Sequence, residues 1–175
     1  VSYWLSPENS PNDKFIETFK LGFKKQWEEF SRNKNKKPTV AILVAPSHYE
    51  ELHLACFYID LLRELDYEFL IIGEKNLIIE DKGVTAFGKE IDIILRQYPT
   101  EFLHEIPEFE KLIKLISEEK VLMINDPRSI IGQVKSLFAY LWELVEKESS
   151  LLSEKEKMAI KETIPYTALF DKTML

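Results

Sequence analysis

The feature that most constrains this chain is a set of four short apolar runs, separated by stretches of helical periodicity. Val40-Ala41-Ile42-Leu43-Val44-Ala45 stops at Pro46, and Phe69-Leu70-Ile71-Ile72 stops at Gly73. Ile91-Asp92-Ile93-Ile94-Leu95 runs into Arg96, and Val121-Leu122-Met123-Ile124 ends at Asn125-Asp126-Pro127. A strand with one wet face alternates apolar and polar residues. Runs that are apolar at nearly every position fit strands covered on both faces, the situation of parallel sheets. Parallel neighbours need long crossovers, and helical patterns occupy the gaps. Residues 50–65 place Leu54, Phe57, Tyr58, Leu61, Leu62 and Leu65 on one side, and residues 107–117 turn Phe109, Leu112, Ile113 and Ile116 inward. The expected fold is α/β: a Rossmann-like, open, mainly parallel sheet with flanking helices and right-handed crossovers.

The flanks fit around that sheet. Ser10-Pro11-Asn12-Asp13 has the polar caps and early Pro of a helix start. Phe15, Ile16, Phe19, Phe23, Trp27 and Phe30 then form an aromatic stripe at three- and four-residue spacing, expected to pack on a core. The basic run from Arg32 to Lys37, closed by Pro38, reads as a solvated linker. Between the second and third runs, residues 77–80 and 84–87 flank Asp81-Lys82-Gly83 as a hairpin. Two further helical patterns cover 129–147 and 153–163. The expected organisation is a helical lead-in over 1–37, the α/β domain over 38–131, and C-terminal helices over 132–175.

A length of 175 residues suits a compact fold, and a formal charge of −7 disfavours nucleic acid or an anionic membrane as partner. No basic and apolar leader opens the sequence, and no run approaches the roughly 20 apolar residues of a membrane helix. A cytoplasmic location is expected. The chain begins with Val1, which fits either processing or excision from a longer polypeptide. Cys56 is the only cysteine, so no internal disulfide and no cysteine-based zinc cluster is expected.

No Gly-x-Gly-x-x-Gly and no Gly-Lys-Ser phosphate loop follows any strand, so the sheet does not bring a dinucleotide site with it. His53 and Cys56 lie three apart on a helix, too few to hold a metal, and Cys56 reads as a buried thiol. The chemistry instead gathers at the carboxyl ends of the strands: Ser47-His48, Glu74-Lys75, Arg96-Gln97-Tyr98 and Asn125-Asp126. In a parallel sheet these meet at one edge, where small ligands bind. Arg96 directly terminates a strand. Its guanidinium suits a two-pronged contact with an anionic substrate, or an ion pair tying the strand end to a helix. Tyr98 and Asn125 are further candidates for the same crevice.

The order of segments is also similar to a known family. Residues 4–30, the run Ile91-Asp92-Ile93-Ile94-Leu95-Arg96-Gln97-Tyr98-Pro99-Thr100-Glu101-Phe102, and the helix from Val134-Lys135-Ser136 to Leu141-Trp142-Glu143 resemble glutathionylspermidine synthase-like proteins. The family pattern runs a strand into Tyr-Pro-Trp-Glu-Trp, and later opens a helix with Asn-Lys-Ala and closes it with Leu-Trp-Glu. The resemblance implies the pre-ATP-grasp portion of a circularly permuted ATP-grasp ligase that joins a carboxylate to an amine. ATP and Mg²⁺ would act in the full-length parent, and the rest of that polypeptide would be this portion's partner. It also implies Lys135 as a nucleotide contact, with no catalytic residue and no metal ligand in this portion. Thr100 and Val134 depart from the pattern, so glutathione and spermidine are not carried over as substrates. The alternative is a stand-alone small-ligand or protein-interaction module.

Overall fold

The computed structural model describes residues 14–31 and 36–169. The helix start at Ser10–Asp13, the Trp4 end of the first similar segment and most of the basic linker lie outside the described residues. The chain divides into two compact units, residues 1–125 and 126–175. The division follows Asn125, where the last sheet strand has ended.

In the first unit, α1 (Phe15–Phe30) precedes β1 (Thr39–Leu43), α2 (Tyr49–Leu62) and β2 (Glu68–Ile72). Three short strands follow: β3 (Ile78–Glu80), β4 (Gly83–Ala86) and β5 (Lys89–Ile91). Then come β6 (Ile93–Arg96), α3 (Phe109–Ser117) and β7 (Leu122–Ile124). The main sheet has the order β2-β1-β6-β7, and every neighbouring pair is parallel. The four apolar runs are therefore its strands, and the fold is α/β with helices on the sheet.

The period of two along β1 divides its side chains between two cores. Val40, Ile42 and Val44 pack with Ile93, Leu95, Phe23, Trp27, Ala55 and Leu62, from β6, α1 and α2. Ala41, Leu43 and Ala45 pack with Ile94, Met123, Leu112, Leu115 and residues of the three-stranded sheet. The α2 crossover leads from β1 to β2, while α3 leads from β6 to β7 in the opposite direction across the sheet. Two right-handed crossovers running in opposite directions require helices on opposite faces, and that is the arrangement here. The chain reverses direction between β1 and β6, which makes their carboxyl ends the expected ligand position.

Several details differ from the expectations. In α2 the helix ends at Leu62, followed by a tight turn over Arg63–Leu65. The helix buries Ala55, Leu61 and Leu62 and packs Leu52, Tyr58 and Ile59 partly, as the turn does Leu65, while Leu54 and Phe57 face outward. In α3, Leu115 is buried and Ile113 is exposed. Both helices are apolar on more than one side, so periodicity alone did not single out the buried face. In α1, Phe23 and Trp27 are buried and Phe19 and Phe30 pack against them, but Phe15 and Ile16 are exposed. The expected hairpin forms as β3 and β4. It continues into β5 through Phe87-Gly88, both with left-handed φ (51° and 76°), the mirror-image turn that matches strand twist. The run from Ile91 therefore serves two sheets and changes from one to the other at Asp92.

The second unit opens with a 3₁₀ segment, Pro127–Gln133, followed by α4 (Lys135–Glu146) and α5 (Glu154–Thr163). The expected single helix from 129 therefore begins only at Lys135. Within this unit Ala139, Val145 and Ile160 are buried, whereas Val134 and Phe138 are exposed. Ser153 caps α5 reciprocally with Glu156, and Lys157 bonds Glu148 and Glu154, each at 2.8 Å.

Candidate functional site

Three chain segments meet at the carboxyl edge of the main sheet and enclose a crevice of about 430 Å³. Ala45, Pro46 and Ser47 come from the end of β1, Gly73, Glu74, Lys75 and Asn76 from the turn after β2, and Tyr98 and Glu105 from beyond β6. That volume lies within the range of small-molecule sites.

Local geometry holds the walls close. Asn76 Oδ1 accepts the Gly73 amide at 2.9 Å and fixes the turn after β2. A Cβ on Gly73 would stand 2.5 Å from Pro46 Cγ, so the two walls approach as only glycine allows. Glu51, in the first turn of α2, reaches back and accepts the Ala45 amide at 2.6 Å, while His48 Nδ1 lies 3.8 Å from its other oxygen. The Gln97 and Tyr98 amides both donate to the Leu43 carbonyl at 2.9 Å, which turns the chain after β6 into the crevice.

Tyr98 is 3% exposed, and its hydroxyl donates to Glu105 Oε2 at 3.2 Å. Burial, with the nearby carboxylates of Glu105, Glu74 and Glu51, pushes its phenol up to about 12, so it stays neutral. Glu74 Oε2 is shut off from solvent and has no partner among the described residues, and the same holds for Thr100 Oγ1. Among the described residues, no group of three or more His, Cys, Asp and Glu side chains is arranged to hold a metal ion. The chemistry available here is hydrogen bonding to a neutral phenol and electrostatic attraction by carboxylates.

The predicted site residues separate. Tyr98 lines the crevice. Arg96 is 5% exposed, with Nε donating to the Asn125 carbonyl at 3.1 Å and Nη1 to the Tyr98 carbonyl at 2.7 Å. Among its contacts, then, the guanidinium binds the main chain after β6 and β7, where the sequence suggested an anion clamp or an ion pair to a helix. Asn125 is exposed and enters through its carbonyl. Lys135, the first residue of α4, is exposed in the second unit. His53 and Cys56 are both exposed on the outer side of α2, so the expected buried thiol is corrected. Sequence reading missed Gly73, Asn76, Glu51 and Glu105 as site residues. A glutamate in the first turn after a strand and its Pro was a usable signal for Glu51. Nothing local marked Glu105.

The chain matches no protein-family model. No curated protein matches it significantly either. Among the described residues, no helix is long and apolar enough to cross a membrane.

Proposed function

We propose that this chain is the pre-ATP-grasp portion of a glutathionylspermidine synthase-like, ATP-dependent carboxylate–amine ligase, supplying a binding crevice rather than catalytic groups. The observation that carries this reading is the course of residues 91–102. The segment that resembles the family is the one that forms β6 and delivers Tyr98 to the crevice at the reversal point of the sheet. The Rossmann-like, pre-ATP-grasp type of fold is part of the same proposal. So is a place in the cytoplasm, where the reaction would draw on ATP.

In such a ligase, ATP activates the carboxylate as an acyl phosphate, and the amine displaces the phosphate. The described residues do not fit a Mg²⁺ site, because no carboxylate group among them is arranged for a cation. The sequence also lacks a glycine-rich phosphate cradle. Metal and most phosphate contacts would belong to the rest of the polypeptide, and this chain by itself would neither hydrolyse ATP nor ligate. Its own contribution to nucleotide would be Lys135. That lysine opens α4, where the helix dipole disfavours a cation and a phosphate would compensate it.

The test is Lys135→Met in the full-length parent. Loss of a charge-assisted contact worth roughly 1.5–3 kcal/mol lowers ATP affinity about ten- to a hundredfold. Unchanged affinity removes Lys135 from the nucleotide site, and phosphate release by the purified chain alone overturns the non-catalytic reading.

A further inference from the structure

We propose that the outer face of α2 is a homodimer interface, on which two copies of this chain lay α2 against α2, antiparallel, about a two-fold axis between Cys56 and Phe57. The deciding observation is that α2 is apolar on both sides. Its inner side gives Ala55 and Leu62 to the core. Its outer side presents Tyr49, 80% exposed, Phe57, 48% exposed, and Leu54, together with exposed His53 and Cys56. Residues 52–59 contain no lysine, arginine, aspartate or glutamate. A helix that is apolar all round is one that is covered all round. The outer side of α1 shows what a face left to water carries in this protein: Lys24 pairs with Glu28 and Lys25 with Glu29, one turn apart. The apolar surface of α2 also continues onto α1 through ring contacts, Phe57 to Tyr58 at 6.2 Å, Tyr58 to Phe19 at 5.4 Å and Phe19 to Phe15 at 5.9 Å. Phe15 and Ile16 are exposed too, and apolar exposure joined across two elements marks an interaction surface.

What singles out a second copy is that the stripe matches itself when reversed. A two-fold contact sets residue i of one copy against residue j of the other, and j against i. With the axis between Cys56 and Phe57, His53 falls opposite Asp60 of the second copy and Tyr49 opposite its Arg63, each pairing made twice. An imidazole then meets a carboxylate, and a phenol ring meets a guanidinium. Phe57 meets Phe57 of the second copy at the centre, where aromatic side chains contribute most to an interface. Glu50 comes opposite Glu64 of the second copy, but Lys20 already holds Glu64 at 2.7 Å, so Glu50 faces an ion pair and not a bare charge. The register is specific. Moved one turn toward the amino end it sets Glu50 against Asp60, and moved one turn toward the carboxyl end it sets Asp60 against Phe57.

Sedimentation velocity of the purified chain from about 5 to about 500 µM tests the pairing, and the expected result is a reversible monomer–dimer equilibrium within that range. Phe57→Asp should raise the dimer dissociation constant at least about tenfold. Phe57 is half exposed, so this variant should keep the wild-type melting midpoint at low concentration. His53→Asp sets carboxylates against each other and should weaken the dimer about three- to tenfold, and adding Asp60→Lys to it should bring the constant back to within about threefold of wild type. Lys25→Glu, on the water-facing side of α1, should leave the equilibrium unchanged. A chain that stays monomeric up to about 500 µM overturns the proposal. If Phe57→Asp lowers the melting midpoint of such a monomer, another part of the same chain covers the face. A dimer that Phe57→Asp leaves intact, or that the double variant does not restore, pairs through another surface and overturns it as well. The ligase reading is independent of these outcomes and stands or falls on Lys135 in the parent.

Discussion

The two edges of the parallel sheet are made of similar residues and behave differently. At the amino edge Asp92 Oδ2 accepts the Thr39 amide at 3.0 Å, and its other oxygen meets Lys36 at 2.5 Å. The strands there are further joined by Glu68 donating its amide to Pro38, and Leu122 donating its amide to Asp92. Charge and hydrogen-bonding capacity are matched, and the edge is closed. At the carboxyl edge the loops splay around an open crevice whose carboxylates lack cationic partners among the described residues. A fold has no need to leave carboxylates unmatched beside a buried tyrosine. The contrast separates an edge whose polar groups are matched from one that leaves a crevice, at the position where open parallel sheets commonly hold ligands.

If the amino edge is structural, Asp92→Ala should have the largest effect. It leaves the partly buried Thr39 amide without its acceptor and Lys36 without its partner, and should cost about 2–3 kcal/mol in urea unfolding. A loss below about 0.5 kcal/mol would erase the distinction between the edges. Gly73→Ala should cost less, about 1–2 kcal/mol, because its Cβ forces the Pro46 ring aside although its extended backbone suits alanine. The same change should narrow the crevice, read by NMR as shifts of the Ser47 and Asn76 amides that no change at the amino edge produces.

The smallest effect at neutral pH belongs to Tyr98. An acid whose folded pKa is raised keeps its proton in the native state after the unfolded chain has lost it. Tyr98 therefore contributes stability that is present below pH 10 and lost as pH rises toward about 12. Unfolding followed between those limits should show a steeper fall for wild type than for Tyr98→Phe. Ultraviolet titration should show one phenol ionising near the upper limit and missing in the variant. Equal slopes would mean that the phenol is open to water, and the crevice would lose its buried floor.

The sheet was legible in the sequence because its evidence is local. Apolar runs bounded by Pro, Gly, Arg and Asn can be read one at a time, and each became a strand close to its expected bounds. The polar clusters were legible for the same reason, since a parallel sheet brings all strand ends of one kind to one edge. Helix faces were less legible, because α2 and α3 carry more apolar residues than one buried stripe requires. Leu54 and Ile113 look no different in sequence from Leu62 and Leu112. What tells them apart is the neighbour each one meets.

The sequence by itself determined the α/β class, the four strands and the edge at which ligand chemistry gathers, since periodicity and strand polarity act within each segment. Only the tertiary structure decided what the polar groups at that edge meet. Whether Arg96 faces a ligand or its own chain depends on carbonyls of Tyr98 and of Asn125, the latter 29 residues away. Whether Glu74 and Glu105 are matched depends on segments that the sequence keeps far apart and the fold brings around Tyr98. Electrostatics is a sum over neighbours in space, and the neighbours are fixed by packing.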